Sequence, residues 1–316
     1  MKKIIGILFA ITFFTTYALA SSLTVESDSQ EFKDSEHKIF LEGDVKVKSG
    51  DTNILSPRAV VDIDPTNNKV NKVQFKDNAY TYHLEGGKKH EIKAQILEMS
   101  LLNKVFTADG NTISSITDKG KPVVIVTADK QEYNKNTNVM KATGNVNIIY
   151  KDVETLSNQA IVDLTSNNDV KRIQLIGDAH LNQGKSKITA KKLDYDNLRQ
   201  EAVATGNVFT DITTEDNKNI KVWSNYQSYN KRSNFITASG STVIKYEDYT
   251  ARGPKVNVYP DKGSNKLNRA VFVGRSKIET KGRTIEADRI AITMHPKDFK
   301  AEGHVKSTIP NIGNMN

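Results

Sequence analysis

A glycine set inside a strand-forming run recurs along this chain at Gly43, Gly110, Gly144, Gly177, Gly206, Gly240, Gly274 and Gly303, and Asp77 takes the same place in VQFKDNA. The intervals run from 29 to 34 residues. Repetition at such a period marks architectures in which each unit buries its apolar face only by stacking on its neighbours. The residues four and two before each anchor are all apolar: Ile39 and Leu41, Val73 and Phe75, Phe106 and Ala108, Met140 and Ala142, Ile173 and Leu175, Ala202 and Ala204, Ile236 and Ala238, Ala270 and Phe272, Phe299 and Ala301. Between them stand polar residues such as Gln74, Lys141, Gln174 and Lys300, the alternation of a half-buried strand. Two residues past the anchor the same face continues with Val45, Ala79, Val146, Ala179, Val208 and Val305, or with Thr112, Thr242 and Ser276. A glycine within such a strand predicts a bulge or a sharp bend.

Five anchors have an alanine or serine sixteen residues upstream (Ala94, Ala128, Ala190, Ser224, Ala287), and turn residues such as Asn134-Lys135-Asn136 lie between. Each short repeat is therefore a hairpin of two long, bent strands. No useful 3.6-residue apolar period exists beyond the first twenty residues, so helix should be nearly absent. Segments beginning at Gly43, Gly144 and Gly240 also align with one another, which groups the repeats into three units, residues 22–125, 126–222 and 223–309, followed by a tail at 310–316. No Pro/Ser-rich linker separates them, and one continuous array is expected. The fold class is all-β: an elongated antiparallel jelly-roll, a folded double sheet of stacked hairpins with its apolar face inward.

Residues 1–20, MKKIIGILFAITFFTTYALA, have the basic start, short apolar run and Ala18-Leu19-Ala20 ending of a secretory signal peptide, too short for a comfortable membrane span. Cleavage there predicts a periplasmic or secreted protein starting near Ser21, and lowers the formal charge from +8 to +6 by removing Lys2 and Lys3. That modest, dispersed excess suits an anionic ligand without arguing for nucleic acid. The absence of cysteine excludes disulfides and thiolate metal sites. His37, His83, His90, His180, His295 and His304 show no metal-ligand spacing; His83 and His90 stand seven apart across the Gly86-Gly87 turn, where two on facing strands can meet, but solvent-facing positions are the expectation.

Enzyme chemistry finds little purchase. Gly184-Lys185-Ser186 imitates the end of a phosphate-binding loop, but the glycine required five residues earlier is Ala179, and a strand-like run follows where a helix is needed. Acidic pairs such as Asp62 and Asp64, or Asp194 and Asp196, share one strand face and recur with the repeat, unlike two carboxylates placed across a cleft. No nucleophile motif is present. No catalytic residue, cofactor or metal is expected.

The inward face, rich in alanine, valine and isoleucine, admits two readings: a core closed by its own side chains, or an interior that accepts acyl chains, each buried methylene gaining about 0.8 kcal/mol. The stretches YNKNTNVMKATGNVNI, YDNLRQEAVATGNVFT and YNKRSNFITASGSTVI resemble the repeat of the LptA or OstA-like periplasmic lipopolysaccharide-transport family, in which an alanine-rich strand runs into Gly-Asn-Val. The resemblance covers nearly all of the chain after the signal segment. It implies a β-jelly-roll groove shielding the acyl chains of lipopolysaccharide, with members joined edge to edge between an inner-membrane transporter complex and an outer-membrane receptor.

Under that reading the groove candidates are Ile39, Leu41, Val73, Phe75, Phe106, Met140, Ile173, Leu175, Ile236, Phe272 and Phe299. Lys88, Lys89, Lys185, Lys187, Lys281 and Arg283, at the turns, are candidates for anionic head-group contacts. Free strand edges near residues 23–32 and 304–309 are candidate sites for the transporter's periplasmic component, the outer-membrane receptor or head-to-tail self-association. An uncleaved N-terminal segment would instead suit the inner-membrane member of the pathway. The alternative is a secreted β-repeat protein with a structural or polysaccharide-binding role, for which exposed aromatic platforms are the expected mark.

Overall fold

The computed structural model describes residues 24–166, 170–213, 217–260, 267–293 and 298–309; the signal segment, His295 and the tail at 310–316 lie outside them. The chain parts into two compact units between Leu175 and Ile176, inside the second of the three sequence units. The first unit holds β1 (Thr24–Glu26), β2 (Ser29–Lys33), β3 (Lys38–Ser49), β4 (Thr52–Ile63), β5 (Val70–Glu85), β6 (Lys88–Ser100), β7 (Val105–Asp118), β8 (Lys121–Asn134), β9 (Val139–Tyr150) and β10 (Val153–Leu164). Strand β11 (Val170–Gln183) carries the chain across the division. The second unit holds β12 (Ser186–Asp196), β13 (Glu201–Thr213), β14 (Asn219–Asn230), β15 (Phe235–Tyr246), β16 (Tyr249–Pro260), β17 (Leu267–Thr280), β18 (Arg283–Thr293), β19 (Asp298–Glu302) and β20 (Lys306–Thr308). The single helical turn among the described residues is the 3-10 turn Asp34–Glu36.

Consecutive strands pair antiparallel, β3 through β10 in the first unit and β12 through β18 in the second. The anchors act as the alternation predicts. At the anchors inside β3, β5, β7, β9, β13, β15 and β17 the register slips: Asp109 opposes Lys130 and Thr112 opposes Ala128, so two residues of β7 face one of β8. The same slip follows Glu42 in β3, Thr205 in β13 and Val273 in β17. The extra residue is accommodated by two successive residues of positive φ, as at Gly144 (77°) and Asn145 (48°). Such a bulge bends its strand and raises its twist, and because neighbouring strands slip at the same level, each unit's strands bend along a common line.

The bend turns both halves of every strand toward one interior. In the second unit Phe272, before its anchor, and Ile278, after it, join one core cluster with Ala238, Ala251, Val256, Ala287 and Ile290. In the first unit Gln131 reaches across the fold. Its Nε2 donates to Thr112 Oγ1 at 2.8 Å, and its Oε1 accepts from Ser114 Oγ at 2.6 Å. This folded antiparallel double layer of hairpins is the expected jelly-roll class.

Candidate functional site

The inward positions are those the anchor spacing marked, and different strands fill them differently. Along β8 and β9 every inward residue from one rim to the other is buried: Val124, Val126, Ala128, Gln131 and Tyr133, then Met140, Ala142, Val146, Ile148 and Tyr150. Large residues close that interior at its edges. Along β13 to β16 only the residues flanking the bend are buried, namely Ala204, Val208, Thr210, Ser224, Ala238, Thr242, Ala251 and Val256. Farther from the bend Ala202, Ile212, Ile220, Val222, Ile236, Ile244 and Val258 remain partly open to solvent. Alanines at 202, 204 and 238 supply little volume, and although Val222, Ile244 and Val258 pack against the cluster at the bend, their outer parts stay open to solvent, so this apolar interior is less completely closed toward its rims than that of β8 and β9.

Two hydroxyls on this interior lack a partner among the described residues, those of Tyr195 and Thr242. Burial pushes the phenols of Tyr195 and Tyr229 upward and keeps them protonated.

The groove candidates divide accordingly. Leu41, Phe75, Phe106, Met140, Ile173, Leu175 and Phe272 are buried in the packed interior. Ile39, Val73 and Ile236 are half-buried. Phe299 is 38% exposed and stacks on Tyr249 with ring centroids 5.8 Å apart. These two residues come from opposite halves of the fold, so the pair spans the interior near its C-terminal strands.

The basic candidates sit at turns closing the post-anchor half of the hairpins. Gly184 and Lys185 form a hairpin turn, as the rejection of a phosphate loop requires. Lys88 and Arg283 are exposed, Lys185 Nζ donates to Asn217 Oδ1 at 3.5 Å, and Lys281 lies 3.3 Å from Asp248. Lys89 lies 2.7 Å from Glu91 and packs over Tyr80 and Tyr82, and the hydrogen bonds its ammonium donates to Glu91 and Tyr80 hold its proton well above the usual lysine range. Lys187 has no carboxylate partner among the described residues; its ammonium sits 5.5 Å over the Phe209 ring.

Sequence reasoning misplaced one pair and missed one patch. His83 and His90 do not face solvent. They are cross-strand partners with ring centroids 6.3 Å apart, His90 is 8% exposed, and His83 Nδ1 meets Thr52 Oγ1 at 3.0 Å. The reason is parity: both share the inward face with Thr81 and Ile92, which the alternation implies once strand pairing across the Gly86-Gly87 turn is known. The missed patch is Phe209 and Trp223, adjacent on the outward face of β13 and β14 with ring centroids 5.1 Å apart. The available signal was that each follows or precedes an inward residue, Val208 or Ser224, and so points the other way. No three His, Asp or Glu side chains among the described residues gather as a metal set.

Stacked kinked antiparallel hairpins folded around an apolar interior define a β-jelly-roll. A family model for the LptA/(LptD N-terminal domain) LPS transport protein matches residues 24–121, 125–221 and 163–264. The chain belongs to this family, whose repeated matches cover well over half of it. Among solved structures it is similar to LptH, the LptA homologous periplasmic component of the lipopolysaccharide transport device from Pseudomonas aeruginosa, with 13% identity, a TM-score of 0.35, and coverage of 41% of this chain and 95% of that one. No curated protein sequence matches it.

Proposed function

We propose that this protein is a periplasmic carrier of lipopolysaccharide that shields acyl chains between the two halves of its folded sheet and takes part in outer-membrane assembly. The observation that carries this reading is the partial exposure of the apolar inward residues of β12 to β16, against the full burial of those of β8 and β9. Ile236, with Ile188, Val222, Ile244 and Val258, contacts the acyl chain in this reading. Buried candidates such as Phe75, Leu175 and Phe272 serve as the packed floor and walls. Ten methylenes transferred into this interior would gain about 8 kcal/mol before ordering costs, enough to draw a lipid from an aqueous compartment. The protein acts by binding, without catalysis.

Bridging is supported by the terminal strands. Strands β1 and β2 pair only with β3, and β19 and β20 only with β18, among the described residues. Phe32, Val305 and Ile309 are more than half exposed beside these edges. Unpaired strand groups next to exposed apolar side chains invite strand addition by a partner chain, here the transporter's periplasmic component, the outer-membrane receptor or a second copy.

A photo-crosslinking residue at Ile236 or Val222 is expected to capture lipopolysaccharide in cells, whereas the same residue at Tyr133 or Ile148 is expected to capture none. Absence of capture at all four positions, in folded protein, overturns the carrier reading.

A further inference from the structure

On the outward face of the second unit, aromatic and basic side chains stand in two adjoining cross-strand rows. One row is Thr189, Phe209, Trp223 and Val243, and the next is Lys187, Asp211, Lys221 and Lys245. The Phe209 and Trp223 rings, both half-buried, are tilted at 36° to each other. Lys187 Nζ lies 5.5 Å over Phe209 and Lys245 Nζ lies 5.7 Å over Trp223. Lys221 approaches Asp211 at 3.8 Å, whereas neither Lys187 nor Lys245 has a carboxylate partner among the described residues. Three ammonium groups thus face one carboxylate.

We propose that this patch binds an acidic saccharide, a short run of sugars carrying phosphate or carboxylate groups. Chemistry favours this ligand in three ways. An exposed ammonium over a ring is held by only a weak cation–π attraction, so it can leave the ring for an anion, to which its hydrogen bond is charge-assisted and stronger. As Lys187 and Lys245 swing away, they uncover the ring faces, which then take the apolar C–H face of a sugar. The lysine row spans three strand spacings, about 14 Å, which matches a short oligosaccharide. The choice of a saccharide over another polyanion rests on the carrier reading, since a glycolipid whose acyl chains lie against the partly open apolar residues of β12 to β16 brings its sugars to the same unit.

Trp223 is the single tryptophan of the chain, so its emission, excited selectively beyond the tyrosine absorption, reports on this patch alone. The full-length chain is titrated with the lipid-free oligosaccharide released from lipopolysaccharide by mild acid, with the same saccharide after dephosphorylation, with inorganic phosphate and with a single-stranded oligonucleotide. The expected result is a saturable change with the acidic saccharide, weakened about tenfold by dephosphorylation and about tenfold in the Lys187→Gln/Lys245→Gln variant. Circular dichroism verifies that the variant keeps its fold, and Phe209→Leu, which keeps the lysines, should also weaken binding. The proposal is overturned by no saturable change, by an equal response to inorganic phosphate or the oligonucleotide, or by undiminished affinity in the lysine variant. If the saccharide fails while a crosslinker at Ile236 still captures lipid, this proposal falls and the carrier reading stands.

Discussion

At every anchor but Gly274 two consecutive residues adopt positive φ, a conformation that disfavours side chains with a Cβ, and at Gly144 space forbids one as well. A Cβ there would lie 2.0 Å from Asp129 Oδ2. Gly144→Ala should therefore cost about 2–3 kcal/mol, the left-handed penalty plus displacement of the neighbouring strand. Gly184→Ala, at a turn with open space around it, should cost only about 1 kcal/mol. Denaturant melts of the two variants make the comparison. The one non-glycine anchor, Asp77, has φ of 68° and is followed by Asn78 at 66°. Arg58 Nε donates to Asp77 Oδ2 from the facing strand, and this guanidinium holds the Asp77 carboxyl below its ordinary value. A carboxyl with a depressed folded-state pKa adds stability above its unfolded value of about 4, and that contribution fades as pH falls through the folded value. An NMR titration should show Asp77 ionising at lower pH than in Arg58→Gln, where the midpoint returns toward the ordinary range.

Strands were readable because burial follows parity. The residues four and two before each anchor point inward, and the buried ones include Leu41, Phe75, Phe106, Leu175 and Phe272. Phe272 is 1% exposed at the centre of a cluster contributed by four strands. Phe272→Ala should cost about 3–5 kcal/mol, with a lowered melting temperature as the readout. Polar members of the same rows escaped that reading. Gln131 and the His83–His90 pair are inward because their strands' parity leaves no choice, and Gln131 is tolerated because Thr112, Ser114 and the Val126 carbonyl satisfy its amide. Which inward stretch stays open was not legible either. It depends on whether side chains from opposite halves reach one another, and local spacing carries no information about that distance.

At the scale of the chain, the terminal strands carry the joining proposed above. Both edges are split at the level of the bend, where Asp28 N–H donates to the Gly43 carbonyl and Asp288 N–H to the Gly303 carbonyl, each at 2.9 Å. A proline in β20, Ser307→Pro, should leave the melting temperature nearly unchanged, because the residue is exposed at the edge. It should abolish concentration-dependent end-to-end association in light scattering. Association that survives this variant and a matching Gln30→Pro excludes the edges as docking sites.

From its own periodicity the chain determined strand type, hairpin length, bend position and inward parity, because each follows from steric rules acting over a few residues. Those same rows carried the family resemblance. Tertiary structure alone decided the division at Leu175, the full burial of the inward residues of β8 and β9, the partial exposure of those of β13 to β16, and the meeting of Phe209 with Trp223 beneath two lysines. Each of these depends on the volume and reach of side chains brought together from strands distant in sequence, a quantity that no local pattern encodes.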